Sequence, residues 1–320
     1  MYLTAFSIGY AVPTADFDAS IHSVFQSTAN LHLAKSGRLL TLVVSGEADL
    51  PQGIRLDTPT GFSFAELIVG EPVACRDGIL RLDSLSLTVD FRKARIWKCN
   101  LPASSVDLTN PTVESAWKSV WQALNKRQLL AGAEIVADDL LRSGETLRTG
   151  VPRKAGQAMQ SLLWATRQTD LMAVSTAARA LIGLGSGLTP SGDDLLVGYL
   201  AGLWCAVWGR PDCEQFISGL GRRVVRLSRR TNDISRAYLY HAARGQVSSP
   251  LEALAKAISR GESGEPLLAA AESAMRVGHT SGMDSVTGLL IGLAAWGNVY
   301  FEKRFIARVL PDADRTASVR

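Results

Sequence analysis

Asn110-Pro111-Thr112-Val113-Glu114-Ser115-Ala116-Trp117-Lys118-Ser119-Val120-Trp121-Gln122-Ala123-Leu124 divides the chain in two. Asn can cap a helix whose first position is taken by Pro, and Val113, Ala116, Trp117, Val120, Trp121 and Leu124 recur at the spacing of one helical face. Upstream the period is different. Short runs of Val, Leu, Ile and Thr alternate with the turn signals Lys35-Ser36-Gly37, Pro51-Gln52-Gly53, Thr58-Pro59-Thr60-Gly61 and Arg76-Asp77-Gly78. This spacing predicts strands at 1–4, 38–44, 72–76, 79–82 and within 85–99, with Asp77-Gly78 turning a hairpin. Downstream the spacing predicts helices near 128–142, 153–167, 170–182, 192–208, 212–229, 232–244, 250–260, 265–277 and 282–297. The expected fold is α+β: a mainly antiparallel β domain, sheet or small barrel, over 1–108, then a larger all-helical domain over 109–310. A polar tail, 311–320, is expected to fray.

The 320 residues are 47% hydrophobic and 20% charged, which suits two globular domains and excludes a disordered or collagen-like chain. Residues 1–110 carry 9 basic and 11 acidic side chains and the remainder 25 and 19, so the halves are −2 and +6. The later half is therefore suited to an anionic partner, but the excess is too small to point to nucleic acid. Cys75, Cys99, Cys205 and Cys213 form no CxxC pair, and with only four histidines in the chain a zinc centre is not expected. Free thiols and a strand-like start suggest a cytoplasmic protein. The longest apolar run, 195–208, is 14 residues, short of a bilayer span, so no membrane association is expected.

The segment Gly183-Leu184-Gly185-Ser186-Gly187-Leu188-Thr189-Pro190-Ser191-Gly192-Asp193-Asp194 concentrates four glycines just before an apolar helix. Such glycines are costly unless backbone must take positive φ or approach something closely. N–H groups leading into a helix N-terminus favour an anion, and Thr189 and Ser191 add hydroxyl donors. No Lys follows, so this is not a Walker loop, and no strand precedes it, so it is not a dinucleotide fingerprint. The alternative is a plain helix-turn-helix with a Gly C-cap and Ser191 or Asp193 as N-cap.

Ninety residues on, Ser281-Gly282-Met283-Asp284-Ser285-Val286-Thr287-Gly288-Leu289-Leu290-Ile291-Gly292-Leu293 repeats 191–203 at seven of thirteen positions. Both copies place glycines four apart on one helical face, which lets two helices approach closely. The expectation is a pair packed glycine face to glycine face about a local pseudo-twofold, with both N-termini lining one cleft. Asp193, Asp194 and Asp284 could cap helices, hold Mg²⁺ or orient a substrate amide, and these readings stay open. His279 and Thr280 directly precede the second motif, where an imidazole can act as general acid or base. Arg222, Arg223, Arg226, Arg229 and Arg230 form a basic cluster without interleaved aromatics. At its end Arg230, Thr231, Asn232 and Ser235 could present a guanidinium and hydroxyls to a phosphate or carboxylate.

Together, 183–194, 231–235 and Gly278-His279-Thr280-Ser281-Gly282-Met283-Asp284 resemble a bacterial domain-of-unknown-function family. That family includes the smallest subunit of the three-part oxamate carbamoyltransferase complex of allantoin degradation, and the resemblance spans 180–295. It implies participation in phosphorolysis of oxalurate to oxamate and carbamoyl phosphate, beside other protein subunits. On that implication the N–H groups of Gly185, Ser186, Gly187 and Gly192, with Thr189, Ser191, Ser281 and Gly282, hold a small anion. Asp194 and Asp284 orient the carbamoyl NH₂ or a Mg²⁺, and His279 moves a proton. Two other classes remain: a noncatalytic assembly subunit, and a stand-alone metal- or nucleotide-dependent enzyme. The oligomeric state, including a homo-oligomer, is open.

Overall fold

A computed structural model of the chain describes residues 1–101, 105–141, 149–207 and 209–296. The polar segment 311–320 lies outside them, as do the last residues of the helices expected over 128–142, 192–208 and 282–297. The chain forms two compact units, one of Met1–Cys99 with Gln246–Ser249, the other of the described residues in Asn100–Gly245 and from Pro250 onward.

The first unit is a closed barrel. Its strands are β1 (Tyr2–Gly9), β2 (Phe17–Val24), β3 (Thr28–Leu33), β4 (Leu39–Val43), β5 (Gly53–Leu56), β6 (Pro72–Arg76), β7 (Ile79–Leu82), β8 (Leu87–Asp90) and β9 (Arg95–Trp97). They run in the order β5-β4-β3-β2-β6-β7-β8-β1, and β1 closes the ring onto β5. Six of the nine pairings are antiparallel, and β1 runs parallel to β8 and β9, β4 to β5. Eight strands enclose a space that side chains can fill, here with Ile21, Leu31, Leu42, Leu56, Phe64 and Leu80. Asp77 and Gly78 turn the β6–β7 hairpin with φ of 49° and 67°, the left-handed pair that matches strand twist. The sheet-or-barrel expectation thus resolves as a barrel, and the 85–99 stretch divides into two strands.

The second unit holds ten α-helices among the described residues: α1 (Pro111–Leu130), α2 (Ala137–Leu140), α3 (Val151–Arg167), α4 (Leu171–Leu181), α5 (Ser191–Ala206), α6 (Pro211–Leu227), α7 (Asp233–Ala242), α8 (Ser249–Ser259), α9 (Gly264–Met275) and α10 (Ser281–Leu293). Asn110 caps α1 by accepting from the Thr112 N–H at 3.0 Å, with Pro111 following it. The helix expected over 128–142 is instead the end of α1 and the four-residue α2. Gly132, at φ 62°, stops α1, its N–H and that of Ala133 bonding back to Leu129 and Gln128 carbonyls.

α5 and α10 are the centre of this unit. Gly192–Leu203 are buried throughout and so, apart from half-buried Ser285, are Gly282–Leu293, because other helices surround the pair. Tyr199 donates to Thr166 Oγ1 of α3 at 2.7 Å, and the Trp117 indole of α1 donates to the Leu290 carbonyl at 2.9 Å. Those bonds tie the two central helices to α1 and α3.

Candidate functional site

The repeat forms the expected pair, and its symmetry can be tested atom by atom. A Cβ on Gly198 would collide with the Ser285 carbonyl and approach the Leu289 nitrogen to 2.8 Å; one on Gly288 would collide with the Leu195 carbonyl and approach the Tyr199 nitrogen to 2.7 Å. Subtracting 90 from the second helix's numbers maps each contact onto the other. Gly202 and Gly292 extend the relation, facing the backbone of Leu289 and Tyr199. Four missing side chains let the backbones touch, and that closeness sets the two helix starts against each other.

At those starts the carboxyls cross over. The hydroxyl of Ser281, the first residue of α10, stabilises the carboxylate of Asp194 of α5, while that of Ser191, the first residue of α5, stabilises the carboxylate of Asp284 of α10. The Thr189 hydroxyl acts on Asp194 in the same sense and lies 2.6 Å from that of Ser281. Both aspartates are buried, at 6% and 3% exposure, and Oδ2 of each is left without a hydrogen-bond partner among the described residues. Neither caps its helix. Pro190 and Thr280 hold the N-cap positions and make no side-chain cap bond.

Burial dominates the ionisation of the pair. Desolvation raises Asp194 well above the usual carboxylate range, with the Asp284 and Asp193 charges adding to the rise and the Ser281 and Thr189 hydroxyls opposing it. Asp284 is pushed up to about 7, first by burial and then by the Glu134 carboxylate, against the Ser191 hydroxyl. Glu134 carried no signal in the sequence, since it is an exposed acid in an ordinary turn.

Asp193 is occupied differently. Its Oδ1 accepts from the Gly183 N–H at 2.9 Å and its Oδ2 from the Thr231 hydroxyl. These bonds lower its pKa against a larger rise from burial, leaving it raised. Asn232 caps α7 through the Ser235 N–H at 3.0 Å and donates to the Leu188 carbonyl at 2.9 Å. The glycine loop is thus tied at Gly183 and Leu188, and Ser186 and Gly187 between them are exposed. Gly183, Gly185 and Gly187 take φ of 76°, 111° and 100°, so their lack of a side chain is used for conformation. Gly192 instead packs on the Leu181 carbonyl. Its N–H bonds Leu184, as that of Gly282 bonds Val277, both at 2.8 Å.

The remaining candidates lie around this centre. His279 is exposed in the turn before α10, and Thr280 is half-buried beside it. Arg230 is exposed at the end of a 3₁₀ turn, Ser228–Arg230, that leads into Thr231; its carbonyl lies 3.4 Å from where a Gly183 Cβ would stand. Arg222, Arg226 and Arg229 are exposed. No group of three or more His, Cys, Asp or Glu among the described residues is placed to hold a metal ion. The same residues contain no helix long and apolar enough to cross a membrane.

A closed barrel unit and a helical unit whose two central helices cross their carboxyls at their starts define an α+β protein with one dominant candidate site. The chain belongs to the family of an oxamate carbamoyltransferase subunit. The family described as "Oxamate carbamoyltransferase subunit AllH" matches residues 181–293, from the glycine loop to the end of α10. The "AllH family N-terminal domain" matches residues 5–96, the barrel. Membership places the chain among subunits of a transferase that has other protein chains. No solved structure matches it.

Proposed function

We propose that this chain supplies the oxamate carbamoyltransferase complex with a small-anion site at the α5 and α10 starts, acting on oxalurate, oxamate, phosphate and carbamoyl phosphate. The observation that supports this most is the crossed pair of buried carboxyls, each with an unsatisfied oxygen, between two helix N-termini. Helix N-termini favour negative charge, which ionised acids would repel. Raised pKa values resolve the conflict: a protonated Asp194 donates to a substrate oxygen, while Asp284, ionising near neutrality, accepts from a carbamoyl or amide NH₂. One donor and one acceptor match a ligand carrying an amide beside an anionic group.

In this reading the N–H groups of Gly185, Ser186 and Gly187, with Thr189, Ser191 and Ser281, hold the anionic end, and Arg230 attracts it from the exposed rim. Asp193, Thr231, Asn232 and Ser235 set the loop's shape. His279, next to the α10 start, moves the proton that carbamoyl transfer requires. Mg²⁺ uses one or two carboxylates together with water and substrate oxygens, so it is the competing occupant of the two Oδ2 atoms. The reaction is carbamoyl transfer in allantoin catabolism, in a cytoplasm that keeps the four buried thiols reduced.

Calorimetric titration of the full chain with the four anions, with and without Mg²⁺, tests this. The expected result is saturable binding that weakens at least tenfold in both Asp194→Asn and Asp284→Asn. A folded chain that binds none of them, alone or in the assembled complex, would refute the site; binding only with Mg²⁺ would transfer the carboxyls to the metal.

A further inference from the structure

A second feature involves α3 and α4, outside the site at the α5 and α10 starts. α3 and α4 are joined by the three residues 168–170, which makes them an antiparallel hairpin. Between them runs a solvent-open groove of about 1000 Å³. Its α3 wall carries Lys154, Trp164 and Arg167, and its α4 wall Ala173, Ala177 and Ala180. The lining positions recur at three- and four-residue intervals along both helices, so the depression is straight and bordered by two ridges, the shape that receives a third helix. Alanines on one wall permit close approach. Trp164, 53% exposed, is a large apolar side chain left open at the other, and Met172 beside the groove is 66% exposed.

Charge selects the occupant. The lining holds two cations and no acid, and Lys154 makes no ion pair with the described residues. An isologous contact with a second copy would set this positive groove against itself. The chain's own last segment, 297–320, has five basic and three acidic residues and is also of the wrong sign. We propose that the α3–α4 groove docks an amphipathic helix of another chain of the transferase complex, with its apolar face on the alanines and Trp164 and its acidic flank toward Lys154 and Arg167. The proposal rests on membership of a multi-subunit transferase family, not on the anion site.

The groove also runs along the helix that ends at the loop. Leu181 closes α4, its carbonyl accepts the Leu184 N–H, and Gly192 packs on that carbonyl. A helix seated on α4 therefore bears on the element from which the glycine loop starts.

Two exposed positions allow a test without disturbing the core: Thr176→Trp fills the groove, and Lys154→Glu reverses its charge. The full chain and each variant are co-expressed with the other chains of the complex, and assembly is measured by sedimentation and by binding kinetics. Both variants are expected to weaken assembly at least tenfold, while the thermal melt and the anion affinity of the isolated chain stay unchanged. Assembly that survives both substitutions overturns the proposal. So does a self-association of the chain that the variants abolish, because the groove would then belong to a second copy.

Discussion

The starts of α5 and α10 carry the same short motif and differ at one telling position. Where α5 has Asp193, α10 has Met283, buried and apolar, and where α5 follows a nine-residue glycine loop, α10 follows a turn of five. Asp193, the acid without a counterpart, is held by the Gly183 N–H and the Thr231 hydroxyl, both serving the loop that only α5 has. Asp194 and Asp284, the acids present in both copies, cross to the opposite helix and each keeps an unpaired oxygen. The unpaired acid holds a structure; the duplicated ones are left with capacity for something else.

The largest effect expected from this contrast is in pH dependence. Asp284 sits at about 7 in the folded chain against an ordinary 3.8, so the native state keeps a proton that the unfolded state releases. Its contribution is fully present below about pH 4 and falls as pH rises to about 7, by roughly 4 kcal/mol over that window. Chemical denaturation from pH 4 to 8 should show this loss, and Asp284→Asn should remove its share of the slope. Asp194→Asn should act in the same direction, whereas a flat profile would mean that the carboxyls are not held neutral.

Next in size is the helix contact. Gly198→Ala and Gly288→Ala each push a methyl into a facing carbonyl, so each should destabilise the helical unit by about 3 kcal/mol, and by matching amounts if the pseudo-twofold is real. Very unequal losses in urea unfolding would break the symmetry. Thr231→Val should cost about 1 to 2 kcal/mol, since it leaves a buried Asp193 oxygen without its donor, and should loosen the Gly183 end of the loop in hydrogen exchange. Smallest is Gly187→Ala: open space surrounds the site, and the φ of 100° alone should cost about 1 kcal/mol.

Much of this arrangement could be read in the sequence because it rests on local patterns. The switch of period at Asn110-Pro111, the Asp77-Gly78 hairpin and the Gly-xxx-Gly faces each report a short-range requirement of backbone or packing. Barrel closure was not legible, because the β1–β5 pairing joins residues about fifty apart and leaves no periodic trace. The crossing of Asp194 to Ser281 was equally hidden: a repeat shows that two helices are alike, not which side chain of one meets the other. Glu134 acts on Asp284 only through the fold. α2 fell short because Gly132 interrupts a pattern whose apolar residues continue past it.

The most direct test of the crossed pair as one ligand site is carboxyl ¹³C NMR of the Asp-labelled full chain during titration with oxamate, with resonances assigned through Asp194→Asn and Asp284→Asn. The account predicts two resonances with raised pKa values that shift together with a single saturation curve, while the Asp193 resonance stays in place. Ligand shifts at Asp193 alone, or an Asp194 and Asp284 that titrate as ordinary carboxylates and ignore the ligand, would contradict it.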